Sequence, residues 1–257
     1  MKIVFIGAGN LASCVSMEMQ RVGMTIGQIY SRTREHAESL AKKVNCQWTC
    51  NLNEIITDAD LYIFSLKDTV LPEVIPRVRP NEGLWVHTAG SVSMNVFEGY
   101  ARRYGVFYPL QTFTKQRRIQ LNGTPIFLEV SQPEDMKMLK KIAIALSGNA
   151  KEIDSEKRKH IHLAAVFACN FTNHMYMLAG KLLEEQGISY DVLLPLITET
   201  ASKINDLSPW DAQTGPAVRF DKDVMDKQLE ILSSAPAMQA IYKLLSQSIY
   251  KEKLQHE

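Results

Sequence analysis

Two spacings of apolar residues divide the chain. Up to residue 153, short β-branched and aromatic runs alternate with stretches of helical period, the signature of a mostly parallel sheet covered by helices. Strands are expected at Lys2–Ile6, Thr25–Tyr30, Cys46–Thr49, Leu61–Ser65, Trp85–His87, Gly105–Phe107, Pro125–Glu129 and Ala150–Ile153. Several are continuously apolar, as strands buried on both faces are. Helices are expected between them near Leu11–Arg21, Arg34–Lys43, Thr69–Val78 and Glu134–Leu146.

Past Asp154-Ser155, either of which can cap a helix, no breaker appears before Gly180 and Gly187. Leu163, Val166, Phe167, Phe171, Met175 and Leu178 recur at helical spacing, so a long and substantially buried helix is expected. Further helices are expected at Tyr190–Leu207, Asp221–Leu232 and Pro236–Lys253, with one long irregular piece, Leu207–Phe220, among them. The expected architecture is an α/β domain over residues 1–153 and a smaller all-helical domain over residues 154–257.

Composition narrows the partners. Net charge is +1, so neither a polyanion nor an anionic membrane surface is implied. The basic run Lys115-Gln116-Arg117-Arg118 reads as a solvated loop rather than a nucleic-acid site. No stretch reaches the ~18 apolar residues that a membrane span needs, and the N-terminal run breaks at Gly7, too early for a signal peptide. Cys14, Cys46, Cys50 and Cys169 lack a matching Cys or His pair, which argues against a metal and for free thiols in a reducing compartment. The expected location is the cytoplasm.

The chemistry begins at Gly7-Ala8-Gly9-Asn10-Leu11-Ala12. This G-x-G-x-x-A follows an apolar strand, opens a helix and precedes a second strand, the context of a Rossmann-like dinucleotide site. Gly7 permits the tight turn, Gly9 admits a diphosphate, and Ala12 lets helix and strand pack closely. The diphosphate would meet the unpaired N–H groups of the helix start. The second strand runs into Ser31-Arg32-Thr33, without the acid that would bind the ribose hydroxyls of NAD. A guanidinium suits a 2′-phosphate. Arg32 is therefore the expected contact and Ser31 and Thr33 its helpers, with NADP as cofactor. At further strand ends, Ser65 and Leu66 are expected to border the cofactor and Ala89-Gly90 to let the backbone approach the nicotinamide. Lys67 and Asp68 fit a surface pair.

These features, with Tyr30-Ser31-Arg32-Thr33 and the all-helical C-terminal part, resemble the pyrroline-5-carboxylate reductase and 6-phosphogluconate dehydrogenase-like superfamily. His87-Thr88-Ala89-Gly90-Ser91, Tyr108-Pro109-Leu110-Gln111-Thr112-Phe113 and Thr214–Asp221 resemble, within it, a family of NADP oxidoreductases with a Rossmann-like N-terminal domain and a C-terminal domain of unknown function. The resemblance implies an NADP-dependent oxidoreductase and a homodimer formed through the helical domain. One departure stands out. Where the superfamily's β-hydroxy-acid dehydrogenases carry a catalytic Lys four residues before an Asn, this chain has Val166 before Asn170.

For the substrate side, His87 is the leading acid/base candidate because histidine titrates near neutrality, although a histidine at a strand end more often serves the structure. His162, Asn170 and Asn173 share one arc of the long helix and need partners, which a substrate or a domain or dimer interface would supply. Gln111 and Thr112 complete a polar pocket on this reading. Arg219 either anchors an anionic substrate or pairs with Asp221 to pin its loop. The expectation is hydride transfer between NADP(H) and a small C=O or C=N compound bound between the domains, with His87 and Asn170 catalytic and Gln111, Thr112, Asn173 and Arg219 binding substrate. An NADP(H)-binding sensor without turnover is the alternative.

Overall fold

A computed structural model describes residues 1–114, 117 and 119–256. Of the basic run 115–118 only Arg117 falls within them. By internal contacts the chain divides into two compact units, Met1–Asn170 and Phe171–Glu257.

The first unit is built on one eight-stranded sheet of order β3-β2-β1-β4-β5-β6-β7-β8. The strands are β1 Lys2–Ile6, β2 Thr25–Tyr30, β3 Gln47–Thr49, β4 Leu61–Phe64, β5 Leu84–His87, β6 Tyr104–Pro109, β7 Ile126–Val130 and β8 Ala150–Glu152. All neighbours pair in parallel except β6 and β7. The apolar runs place side chains alternately on two faces. Ile3, Phe5, Leu61 and Ile63 enter one core with helices α1 (Asn10–Arg21) and α4 (Met136–Ser147). Val4, Ile6, Tyr62, Phe64 and Trp85 enter the other. There Phe97 meets the rings of Phe64 and Trp85 at centroid distances of 5.0 and 6.0 Å.

Strand order reverses beside β1, the place where the carboxyl ends of such sheets open a crevice. The register aligns Ile6 with Tyr30 and Phe64, Phe64 with His87, and His87 with Val106. The residues that follow these strand ends therefore share one edge. Helix α2 (Arg34–Lys43) forms as expected, but the Thr69–Val78 stretch shortens to α3 (Leu71–Val74) and a 3₁₀ turn at Ile75–Arg77. Pro72 and Pro76 deny it the N–H donors of a longer helix.

The long helix differs most from expectation. It runs as α5 (Ser155–Ala165), a π-helical segment at Val166–Phe171 and α6 (Thr172–Glu184). Only Ser155 and Arg158 are buried along it, whereas Leu163 is 56% and Phe167 63% exposed. The helical periodicity was legible, but among the described residues the apolar side is only partly covered. Residues 154–170 group with the sheet because α5 makes polar contacts with β6 and β7.

In the second unit, α6 is followed by α7 (Leu194–Ser202), α8 (Pro216–Arg219), α9 (Lys222–Ile231) and α10 (Pro236–His256). The irregular piece thus contains one helical turn, closed by Phe220 in the left-handed conformation and stacked 4.5 Å from Tyr250. Among the described residues no helix is long and apolar enough to cross a membrane.

Phe97→Ala is expected to cost about 3–5 kcal/mol by opening a cavity in the aromatic core, read as a lowered denaturation midpoint in urea.

Candidate functional site

The β1–α1 turn is shaped by two glycines with different tasks. Gly7 has φ +121°, and a Cβ there would lie 2.1 Å from the Ser65 carbonyl oxygen. That approach locks the turn onto the end of β4, and Ser65 N–H donates to the Ile6 carbonyl at 2.9 Å. Gly9 has ordinary dihedrals, and a Cβ on it would meet nothing within 4 Å. Its side chain is absent not to spare the protein but to leave space. Gly9 also occupies the N-cap of α1, where no side chain caps the helix and no acid stands in the first turn. The free N–H groups and the positive dipole end suit a diphosphate. Ala8 and Ala12 are buried behind the turn, and the Asn10 amide donates to the Phe113 carbonyl at 2.9 Å.

After β2, the Ser31 hydroxyl accepts the Thr33 N–H at 3.3 Å. Thr33 holds the N-cap position of α2, but its hydroxyl does not cap the helix. Of the two nearby guanidinium groups, Arg34 lies over the Trp48 ring at 5.3 Å. Arg32 is exposed and forms no ion pair among the described residues. Its guanidinium is therefore available to an anion such as a ribose phosphate.

His87 behaves otherwise than the sequence suggested. It is fully buried at the end of β5, its Nδ1 accepts the Ala89 N–H at 3.1 Å, and its Nε2–H donates to the Ser93 carbonyl at 3.3 Å. Burial, then the charge of Arg158, push its pKa down to about 3. Neither ring nitrogen remains to exchange a proton with a substrate, so the structure corrects its expected role. His87 is a neutral clasp on the Thr88–Met94 loop, which carries Ala89 and Gly90.

A different pair takes the position. Tyr108, at the end of β6, shares a 3.0 Å hydrogen bond with His162 Nδ1 on α5. The His162 ring rests on Gly90, where an added Cβ would lie 2.6 Å from ring atoms. Both side chains line a cavity of about 450 Å³ with Gln111, Thr112, Ile161 and Asn170. Burial raises the Tyr108 pKa, Arg158 lowers it and Asp68 raises it. Asp68 accepts a short hydrogen bond from Ser91 beside the same loop, so it is not merely half of a pair with Lys67. Asn170 reaches the cavity from the π-helical segment, a local widening frequent at functional sites.

The structure thus gathers Gln111, Thr112 and Asn170 but leaves Asn173 and Arg219 in the other unit. Asp221 caps α9 through the Val224 N–H instead of pairing with Arg219, which is exposed. Tyr108 stood at a strand end and His162 on a polar helical arc, but only tertiary packing joins them. Among the described residues no cluster of three or more His, Cys, Asp or Glu side chains could hold a metal ion.

Comparison with known proteins bears on the family and the fold. Residues 2–87 match the family described as NADP oxidoreductase, coenzyme F420-dependent. Residues 124–249 match a domain of unknown function, DUF2520. A Bacteroides fragilis protein named "putative NADP oxidoreductase" is 51% identical, with 97% of this chain and 98% of that one covered and a TM-score of 0.92. Mouse pyrroline-5-carboxylate reductase 3 is 26% identical over 103 residues, 38% of this chain and only 38% of the length of that reductase. A reductive aminase from Aspergillus terreus, solved with NADPH and ethyl levulinate, shares the fold at 14% identity, with 98% of this chain and 94% of that one covered and a TM-score of 0.71.

The two glycines should fail differently. Gly7→Ala is expected to destabilise the fold by about 3 kcal/mol or more. Gly9→Ala should cost under about 1 kcal/mol yet weaken NADPH binding about tenfold or more by calorimetry. Arg32→Ala should weaken NADPH about 10- to 100-fold and leave NADH nearly unchanged; equal loss of both would reject the phosphate assignment. Because His87 takes up a proton on unfolding between pH 6.5 and about 3, its contribution is complete above 6.5 and drains away as pH falls. The stability advantage over His87→Asn, followed by urea midpoints, should narrow across that window.

Proposed function

The chain belongs to the family of NADP oxidoreductases that joins a Rossmann-like domain to DUF2520, and from that premise we propose that it reduces a small C=N or C=O compound with NADPH by hydride transfer. The observation that carries the reading is the Tyr108–His162 hydrogen bond in a cavity whose wall touches Gly90. The cofactor, when bound, supplies the hydride. What remains for the protein is to hold the acceptor and to deliver one proton.

Tyr108 is suited to that task. Burial keeps its hydroxyl protonated at neutral pH, and a hydrogen-bonded acid near the reacting atom is what general acid catalysis needs. As the double bond is reduced at carbon, its π electrons move to nitrogen or oxygen, and that atom takes the Tyr108 proton. His162 shares the phenolic hydrogen bond and returns a proton drawn from solvent. Gln111, Thr112 and Asn170 offer neutral donors and acceptors to orient the substrate. The likeness to a reductive aminase and to pyrroline-5-carboxylate reductases favours C=N over C=O. The helical unit enters the reading as the dimerisation surface. It exposes Leu196 (62%), Ile231 (74%) and Leu244 (67%), a density of apolar residues that a second copy would cover.

The test is NADPH consumption with cyclic imines, ketone–amine mixtures and keto acids. Turnover of at least one class is expected. Tyr108→Phe should lower kcat about 100-fold or more while NADPH affinity stays within about threefold. Tight NADPH binding without turnover across the panel would favour the sensor reading instead.

A further inference from the structure

Arg158 is fully buried, the least expected place for a guanidinium. It is ion-paired to Glu129 at 2.5 Å, but its Nε–H has no acceptor among the described residues. Buried ion pairs are weak contributors to stability, and well-packed apolar residues often do as well. An incompletely satisfied one asks for another reason.

The partners supply that reason. One terminal nitrogen donates to the Val92 carbonyl at 2.5 Å and to the Ser155 hydroxyl at 3.0 Å. Ser155 in turn donates to Glu129 at 2.7 Å and accepts the Met94 N–H at 3.2 Å. Three adjoining residues of the loop are thereby held: Val92 by Arg158, Ser93 by His87 and Met94 by Ser155. Gly90, two residues before Val92, is the one on which His162 rests. We propose that Arg158 is a positioning residue of the active site, whose fork between the Val92 carbonyl and Glu129 holds Gly90 against His162 and so sets the Tyr108–His162 pair. Arg158 does not line the cavity and acts only through these groups.

Its charge has a second consequence. The charged or titratable groups about Tyr108 include Arg158 and His162 from α5, Asp68 from the segment after β4, Cys169 from the π-helical segment lining the same cavity and, paired with Arg158, Glu129 from β7. Arg158 opposes the upward push of burial and of Asp68 on the phenol. Removing it should move Tyr108 ionisation to higher pH, which rearrangement of the loop alone need not do.

This inference rests on Tyr108 as the proton donor, and the experiment separates the two. Arg158→Met alone would strand the Glu129 charge and risks misfolding, so the informative variants are Arg158→Met/Glu129→Gln, which removes both charges, and Arg158→Lys, which keeps the charge but not the fork. Tyr108 ionisation is read without substrate, as tyrosinate ultraviolet absorbance minus that of the matching Tyr108→Phe protein. NADPH affinity is measured alongside, and kcat with whichever imine the wild type reduces. The double variant should bind NADPH within about threefold of wild type, lose kcat roughly 100-fold and ionise Tyr108 at higher pH. Arg158→Lys should lose kcat with little change in that ionisation. Unchanged Tyr108 ionisation in the double variant, or unchanged kcat in both, overturns the role of Arg158. Wild-type kcat in Tyr108→Phe alone overturns the proton donor instead.

Discussion

A methyl group on Gly7 would overlap the Ser65 carbonyl oxygen, and that exclusion governs the geometry of the whole edge. It fixes the β1–α1 turn against the end of β4 and leaves the first N–H groups of α1 facing open space at Gly9. Parallel register carries the alignment outward through Phe64, His87 and Val106. A backbone contact at one turn thus places the ends of five strands where a dinucleotide can cross them.

Along that edge, charge is rationed. One end offers the helix N–H groups of α1 and the exposed guanidinium groups of Arg32 and Arg34, the second of them lying over the Trp48 ring. The cavity end is lined by Tyr108, Gln111, Thr112, His162 and Asn170, with no carboxylate, ammonium or guanidinium among its lining residues. Its formal charges stand behind the lining, in the Arg158–Glu129 pair, or beside it at Asp68.

The sheet was legible in the sequence because strands buried on both faces must be apolar throughout, and Lys2–Ile6 and Leu61–Phe64 leave little room for another reading. The β1–α1 turn was legible because its first glycine, Gly7, is dictated by backbone contact. The cavity was only half legible. Gln111, Thr112 and Asn170 could be named from strand ends and a helical arc, but His87 was misjudged, since its burial and both of its hydrogen bonds depend on a loop returning over it. Tyr108 and His162 are 54 residues apart, and no local pattern announces their contact. The period of the long helix was read correctly. Its exposure was not, because a repeat of apolar residues reports that a face wants cover without saying what covers it.

The position of the nicotinamide is decisive, and a crystal structure of the NADPH complex measures it directly. The diphosphate is predicted against the N–H groups following Gly9, the 2′-phosphate at Arg32, and the nicotinamide ring beside Gly90 with its reactive face toward the Tyr108 hydroxyl. A nicotinamide lying away from Gly90, or a Tyr108–His162 pair out of reach of its reactive carbon, would contradict the proposal even if the dinucleotide bound tightly.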